Sequence, residues 1–140
     1  MTDIVQDTNE AVVAILNADA GIQAITNRTT GNVRPWKHVA DEELPILLYH
    51  FVVGTEEGGS GDNRLFQYQI TAYAKGPNTG SVVNNLLERV ELGLTEPLLA
   101  AQGLDAAPMR RTRTAVVIER DGTRELTRGD IDVEIWATKP

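Results

Sequence analysis

A chain of 140 residues has room for one domain with a sizeable core and too few residues for two comfortable ones. Its 41% apolar and 24% charged composition is ordinary for a water-soluble globular protein, and its formal net charge of −7 argues against a free nucleic-acid binder, which needs a basic face. The absence of cysteine excludes a disulfide framework and a thiolate zinc site.

The opening "MTDIVQDTNEAVV" lacks the basic n-region of a secretory leader, and no apolar run approaches membrane-spanning length, so a cytoplasmic place of synthesis is expected. Ile4, Val5, Thr8, Val12, Ile15 and Leu16 recur at helical spacing, with Thr2 as cap and Asp3 in the first turn. Asn17-Ala18 breaks this helix, and Asp19 is placed to cap a second, short one that buries Ile22 and Ile25. "TNRTTGN" is a turn cluster. "VRPWKH" reads as an edge segment, because Pro35 has no N–H to give to a ladder.

"PILLYHFVV", rich in β-branched and aromatic residues, predicts a strand. "RLFQYQITAYA" alternates Phe66, Tyr68, Ile70, Ala72 and Ala74 with Gln67, Gln69 and Thr71, the pattern of a strand with one dry and one polar face. After Gly76-Pro77-Asn78 a helix begins at about Thr79 or Gly80, with Val83, Leu86, Leu87, Val90 and Leu94 on its apolar stripe. "GLTEPLLAAQGLDAAP" is a connector holding about one helical turn.

The last third predicts a hairpin around Asp121-Gly122. With those two residues as the loop, Arg120 faces Thr123, Glu119 faces Arg124, Arg113 faces Asp130 and Arg111 faces Asp132. The other face then aligns Thr112, Val116 and Ile118 with Ile131 and Val133. In this register the arginine-rich run is a paired sheet face rather than a phosphate-binding patch. Charge is uneven along the chain: residues 1–70 hold four Lys/Arg and ten Asp/Glu, whereas residues 71–140 hold nine and ten. Such a difference suits head-to-tail contacts between like subunits, although chance accounts for one of this size as well.

No enzyme motif emerges. "GTEEGGSGDN", residues 54–63, has neither the lysine nor the following helix of a phosphate loop, and its acidic residues lack the spacing of a calcium loop. It reads as the tip joining two antiparallel strands, long enough to be ordered by a partner. His38 lies near Asp41, Glu42 and Glu43, so a small cytoplasmic metal-dependent enzyme or ligand-binding domain is the alternative of a different class. His50, flanked by Tyr49 and Phe51 in a strand, reads as a satisfied structural histidine. Ser60 and Ser81 have no positioned base, and Trp36 and Trp136 read as core or interface anchors. Catalytic, metal and cofactor assignments are therefore none.

The order helix, short helix, strand, long loop, strand, helix and C-terminal hairpin resembles the tail-completion or tail-terminator proteins of long-tailed bacteriophages and related prophage or gene-transfer particles. The likeness is carried by "LNADAGIQAIT", "VRPWKHVADEELPILLYHFVV", "FQYQITAYAKGPNTGSVVNNLLERVELGL" and "RGDIDVEIWA", and spans almost the whole chain. The "GLTEPLLAAQGLDAAPM" connector and the glycine-rich loop depart from a typical member. The resemblance implies a single 1–140 domain of α+β class, with a largely antiparallel sheet of about four to five strands, helices packed on one face and a long strand-connecting loop. It further implies a structural virion protein in the neck region of the tail, assembled in the host bacterial cytoplasm. Proteins of this kind form a ring, expected to be a hexamer, that caps the tail tube, stops its polymerisation and offers a head-attachment surface. The implied partners are further copies of itself, the tail-tube protein and the head-completion or connector protein, with DNA passing through the ring unbound. A head-completion, neck or tube role in the same particle is the nearest alternative. By this analogy Glu56, Glu57 and Asp62 are expected at an interface, and Arg110, Arg111 and Arg113 are expected to make salt-sensitive contacts with an acidic partner.

Overall fold

A computed structural model describes residues 4–36, 40–56, 63–76, 78–114 and 116–138. Helix α1, Ile4–Ala18, buries Ile4, Thr8, Ala11, Val12, Ile15 and Leu16, so the apolar stripe read from the sequence is its inner face. The one hydroxyl on that stripe is satisfied locally, because Thr8 Oγ1 donates to the Ile4 carbonyl at 2.7 Å. Val5 departs from the expectation and lies half-buried at the rim of a groove. The expected Thr2 cap and Asp3 lie outside the described residues.

Helix α2, Ala20–Thr26, starts as predicted: Asp19 Oδ1 accepts the Ile22 amide at 2.9 Å. Asp19 also takes a two-pronged contact from Arg89, Nε to Oδ1 at 3.0 Å and Nη2 to Oδ2 at 2.8 Å. That contact pins α2 to helix α3, Gly80–Gly93. Burial alone would raise the Asp19 pKa, but the Arg89 hydrogen bond and charge, with the Ile22 and Gly21 amides, hold it below its ordinary value of 3.8. The residue read as a helix breaker does more than that. Asn17 Oδ1 accepts the amides of Asn32 and Val33, at 3.0 and 3.2 Å, and so fixes where the next strand begins.

That strand, β1, Val33–Pro35, runs parallel to β2, Ile46–Glu56, and sits at the sheet margin as Pro35 requires. Strand β3, Asn63–Lys75, is antiparallel to β2. After α3 comes α4, Glu96–Ala101, longer than the single turn expected of the connector. Strands β4, Asp105–Arg113, β5, Val117–Asp121, and β6, Arg124–Thr138, complete the described chain. The sheet has six strands among the described residues, not four to five, in the order β1-β2-β3-β6-β4, with β5 also alongside β6. The extra strands are β1, too short for a periodicity signal, and β5, which is β4 continued past a break. All neighbouring pairs except β1–β2 are antiparallel, so the α+β class holds.

The helices cover one face. Phe66, Tyr68, Ile70, Ala72 and Ala74 of β3, with Ile131, Val133, Ile135 and Ala137 of β6, form one core with Leu16, Ile22, Val83, Leu86, Leu87 and Val90. Gly129 of β6 lies under α3. A Cβ there would stand 2.7 Å from Val83 and 2.9 Å from Leu87, so glycine sets how closely helix and sheet approach. On the other face a smaller dry cluster contains Ile46, Leu48, Tyr73 and Leu126.

The predicted hairpin exists, but its register is corrected. Asp121 pairs with Arg124 and Arg120 with Glu125, so the loop is Gly122-Thr123. Gly122 takes φ of +65° at the first loop position, a left-handed conformation that glycine adopts at no steric cost. A second shift occurs at residues 114–116, where one extra residue enters the β4–β5 side: Thr114 exchanges backbone and hydroxyl hydrogen bonds with Asp130. Because side chains alternate with period two, each such insertion reverses which side chains face the core. Arg113 therefore faces Ile131 and Arg111 faces Val133, in place of Asp130 and Asp132. Glu119 faces Leu126 rather than Arg124, and Ile118 is 55% exposed rather than aligned with Ile131 and Val133. A third irregularity separates Pro108 from Arg110.

Candidate interaction surfaces

Of the acidic residues expected at an interface, Glu56 ends β2 and its backbone pairs with Arg64. Glu57 and Asp62 lie outside the described residues. Arg110 pairs along the backbone with Glu134. Arg111 and Arg113 are exposed but turn toward α3: Arg111 Nη2 donates to the Leu94 carbonyl at 2.6 Å, and Arg113 Nε meets Glu91 Oε1 at 2.5 Å. Two cations at the C-terminal end of α3 complement the helix dipole there. The structure thus places all three arginines on β4 but divides them by register, Arg110 opposite Glu134 and Arg111 and Arg113 opposite Val133 and Ile131, and puts Glu56 on a strand toward the other end of the sheet.

Of the acidic residues of the alternative metal site, Glu43 is taken up in structural contacts and Glu42 is exposed. Glu43 closes a 3₁₀ turn, Asp41–Glu43, accepts the Ala40 amide at 3.1 Å and pairs with Arg34. Its carbonyl accepts Arg28 Nη1 at 2.7 Å, while Arg28 Nε reaches buried Asn32 at 3.2 Å. His38 lies outside the described residues, and no group of three His, Asp or Glu fit to hold a metal occurs among the described ones. His50 lies in β2 as expected, exposed and opposite Gln69.

Three surfaces stand out. On the helix-free face Arg128 is held between the rings of Trp36, 5.3 Å to the centroid, and Tyr73, 5.8 Å. It pairs with Glu119 at 3.1 Å and Asp130 at 3.2 Å, and Tyr73 Oη donates to Glu119 at 3.1 Å. Burial, joined by Glu119 and Asp130, pushes the Tyr73 pKa up to about 12 against the lowering influence of Arg128. Sequence reasoning missed this cluster, which depends on β5, β6, β3 and the end of β1 meeting. The available signal was the alternation of Leu126, Arg128 and Asp130 on one face of a strand.

Along β6 the same face continues with Asp130, Asp132 and Glu134, opposite Thr71, Gln69 and Gln67 of β3. These acidic residues face neutral polar groups on the β3 side, while on the β4 side Asp132 is opposite Thr112 and Glu134 opposite Arg110, and Asp130 pairs with Arg128. Thr71 Oγ1 donates to Asp130 at 2.5 Å.

The third surface is a groove of about 560 Å³ between α1 and β2, lined by Val5, Gln6, Asn9, Glu10, Val13, Ala14 and Tyr49. Beside it the buried Tyr68 hydroxyl donates to Asn9 Oδ1, and burial moves its pKa well above the ordinary value of 10.0. No described helix is long and apolar enough to cross a membrane.

Neither a family model nor a curated protein matches the sequence. Among solved structures the fold is similar to a chain of the "Virion of native gene transfer agent (GTA) particle". The TM-score is 0.60 at 12% identity, with 92% of each chain covered.

Proposed function

We propose that this protein is a structural component of a phage-like virion, and specifically a tail terminator. Its copies form a ring on the last layer of the tail tube, end polymerisation and present the surface to which the head attaches. The observation that carries the reading is the shared fold with a virion chain over 92% of both lengths. A virion setting, not catalysis, is also consistent with what the described residues offer: contact surfaces of opposite character on one rigid sheet. In such a ring the carboxylates of Asp130, Asp132 and Glu134 suit a surface that DNA passes without being held, since like charges repel. Tube protein on one side and head-completion or connector protein on the other are the partners, with assembly in the host cytoplasm.

Deletion of the gene in its parent particle, followed by negative-stain electron microscopy, tests this. Overlong or unattached tails beside separate filled heads are expected. Filled heads without any tails would replace the terminator with a tube component, and normal infectious particles would overturn a virion role.

A further inference from the structure

The outer edges of the sheet are finished in different ways. The β4 edge carries Pro108, an irregularity before Arg110, and the exposed Arg111 and Arg113, features by which a strand edge resists further pairing. Val117 and Ile118 of β5, 53% and 55% exposed, project from opposite faces of their strand and form no common patch.

The β2 edge lacks those charges. β1 pairs with it at Leu47, Leu48 and Tyr49. The Leu47 amide donates to the Asn32 carbonyl and the Trp36 amide to the Tyr49 carbonyl, each at 2.9 Å, so alternate residues of β2 turn their backbone groups outward. Phe51 is next in that alternation, and on that side it has no backbone partner among the described residues. By Glu43 the chain is back beside Arg34, near the start of β2. Residues 50–55 read "HFVVGT", with no Lys, Arg, Asp, Glu or Pro, although one irregularity separates Phe51 from Val53.

Beside this edge lies the groove of about 560 Å³ between α1 and β2, with Val5, Val13 and Tyr49 as its apolar lining. Tyr49 and Phe51 are half-buried and lie on the helix-covered face. Asn9 in the groove is engaged by the buried Tyr68 hydroxyl. Residues 4–27 contain Asp7, Glu10 and Asp19 and no Lys or Arg. Asp19 is paired with Arg89, whereas Glu10 stands exposed at the groove and accepts a hydrogen bond from Gln6 at 3.0 Å.

We propose that the outer edge of β2 and this groove bind an extended segment of another protein by strand addition. The segment carries an apolar residue and a Lys or Arg two positions apart, so that both side chains project on the side that meets α1. Its backbone pairs with β2 from Phe51 onward, the apolar side chain enters the groove and the cation meets Glu10. This goes beyond the capping role, so a normal particle after gene deletion would leave the binding edge standing.

The probe is a fluorescein-labelled octapeptide, Thr-Val-Thr-Lys-Thr-Val-Thr-Lys, read by fluorescence polarisation against the full chain. Saturable binding is expected by about 1 mM protein, with residues 51–56 gaining protection from hydrogen exchange. Glu10→Lys, an exposed position where unchanged circular dichroism confirms folding, should weaken binding about fivefold and favour the counterpart peptide with Glu in place of Lys. The fully N-methylated peptide, which has no amide to donate, should not bind. No binding of the lysine peptide, equal binding of the N-methylated form, or indifference to Glu10→Lys would each overturn the proposal. Concentration-dependent protection of residues 51–56 in the protein alone, unaffected by peptide, would give the edge to a second copy instead and overturn it as well.

Discussion

On its helix-covered face the sheet presents Phe66, Tyr68, Ile70, Ile131, Val133 and Ile135 to α1, α2 and α3, and each is at most 1% exposed. On the opposite face the same strands present Thr71, Tyr73, Arg128, Asp130 and Asp132, with dry packing confined to one end. The first face is held by area removed from water, a non-directional force that tolerates small shifts of position. The second is held by directed contacts of Arg128 with two rings and two carboxylates, which need one register and no other. The same β-strands thus carry a robust interior and a register-sensitive exterior.

Leu87→Ala attacks the first face and is expected to cost the most, about 2–5 kcal/mol, because the α3 side chain is fully buried and its loss leaves a cavity above Gly129. Chemical denaturation should show the midpoint falling with little change in slope. Gly129→Ala approaches the same contact from the sheet side and should cost about 1–3 kcal/mol by overpacking. If α3 clearance is the reason, Val83→Ala in the same chain will give a coupling term of opposite sign in a double-mutant cycle.

Arg128→Ala probes the second face, and a loss of about 1–3 kcal/mol is expected from its charged hydrogen bonds. The readout that separates register from packing is hydrogen exchange. The β5 amides should lose protection while those of Ile131–Ile135 keep theirs, and uniform loss would erase the distinction between the faces.

The smallest expected effect belongs to Asp19→Ala, about 0.5–2 kcal/mol at neutral pH through the lost cap. Since folding lowers the Asp19 pKa, its stabilisation is fully present above the ordinary carboxylate value and is lost as pH falls through the folded one. The difference between wild type and variant should therefore shrink below about pH 4. A difference that persisted into strong acid would show that the carboxylate charge contributes nothing there.

The helix-covered face was legible because hydrophobic spacing is a local property. The stripe from Ile4 to Leu16, the alternation from Phe66 to Ala74 and the stripe from Val83 to Val90 each name their own inner side before any partner is known. Asp19 was equally readable, since a cap acts within three residues of itself. Register was not. It was counted outward from Asp121-Gly122, and a loop that is really Gly122-Thr123, followed by an extra residue at 114–116, displaced each cross-strand charge pair. The candidate interface suffered accordingly: Arg111 and Arg113 were assigned to Asp132 and Asp130, yet they reach Leu94 and Glu91 of a different element.

Composition and local pattern therefore determine that this chain folds as helices over a mostly antiparallel sheet, and which side of each element is dry. The positions of the two sheet ends, the open edge of β2 and the exposed Val117–Ile118 pair are decided in three dimensions. They depend on strand order and on bulges between segments far apart in the chain. A one-residue insertion reverses a whole strand face while leaving the hydrophobic count unchanged, so no window of sequence registers it.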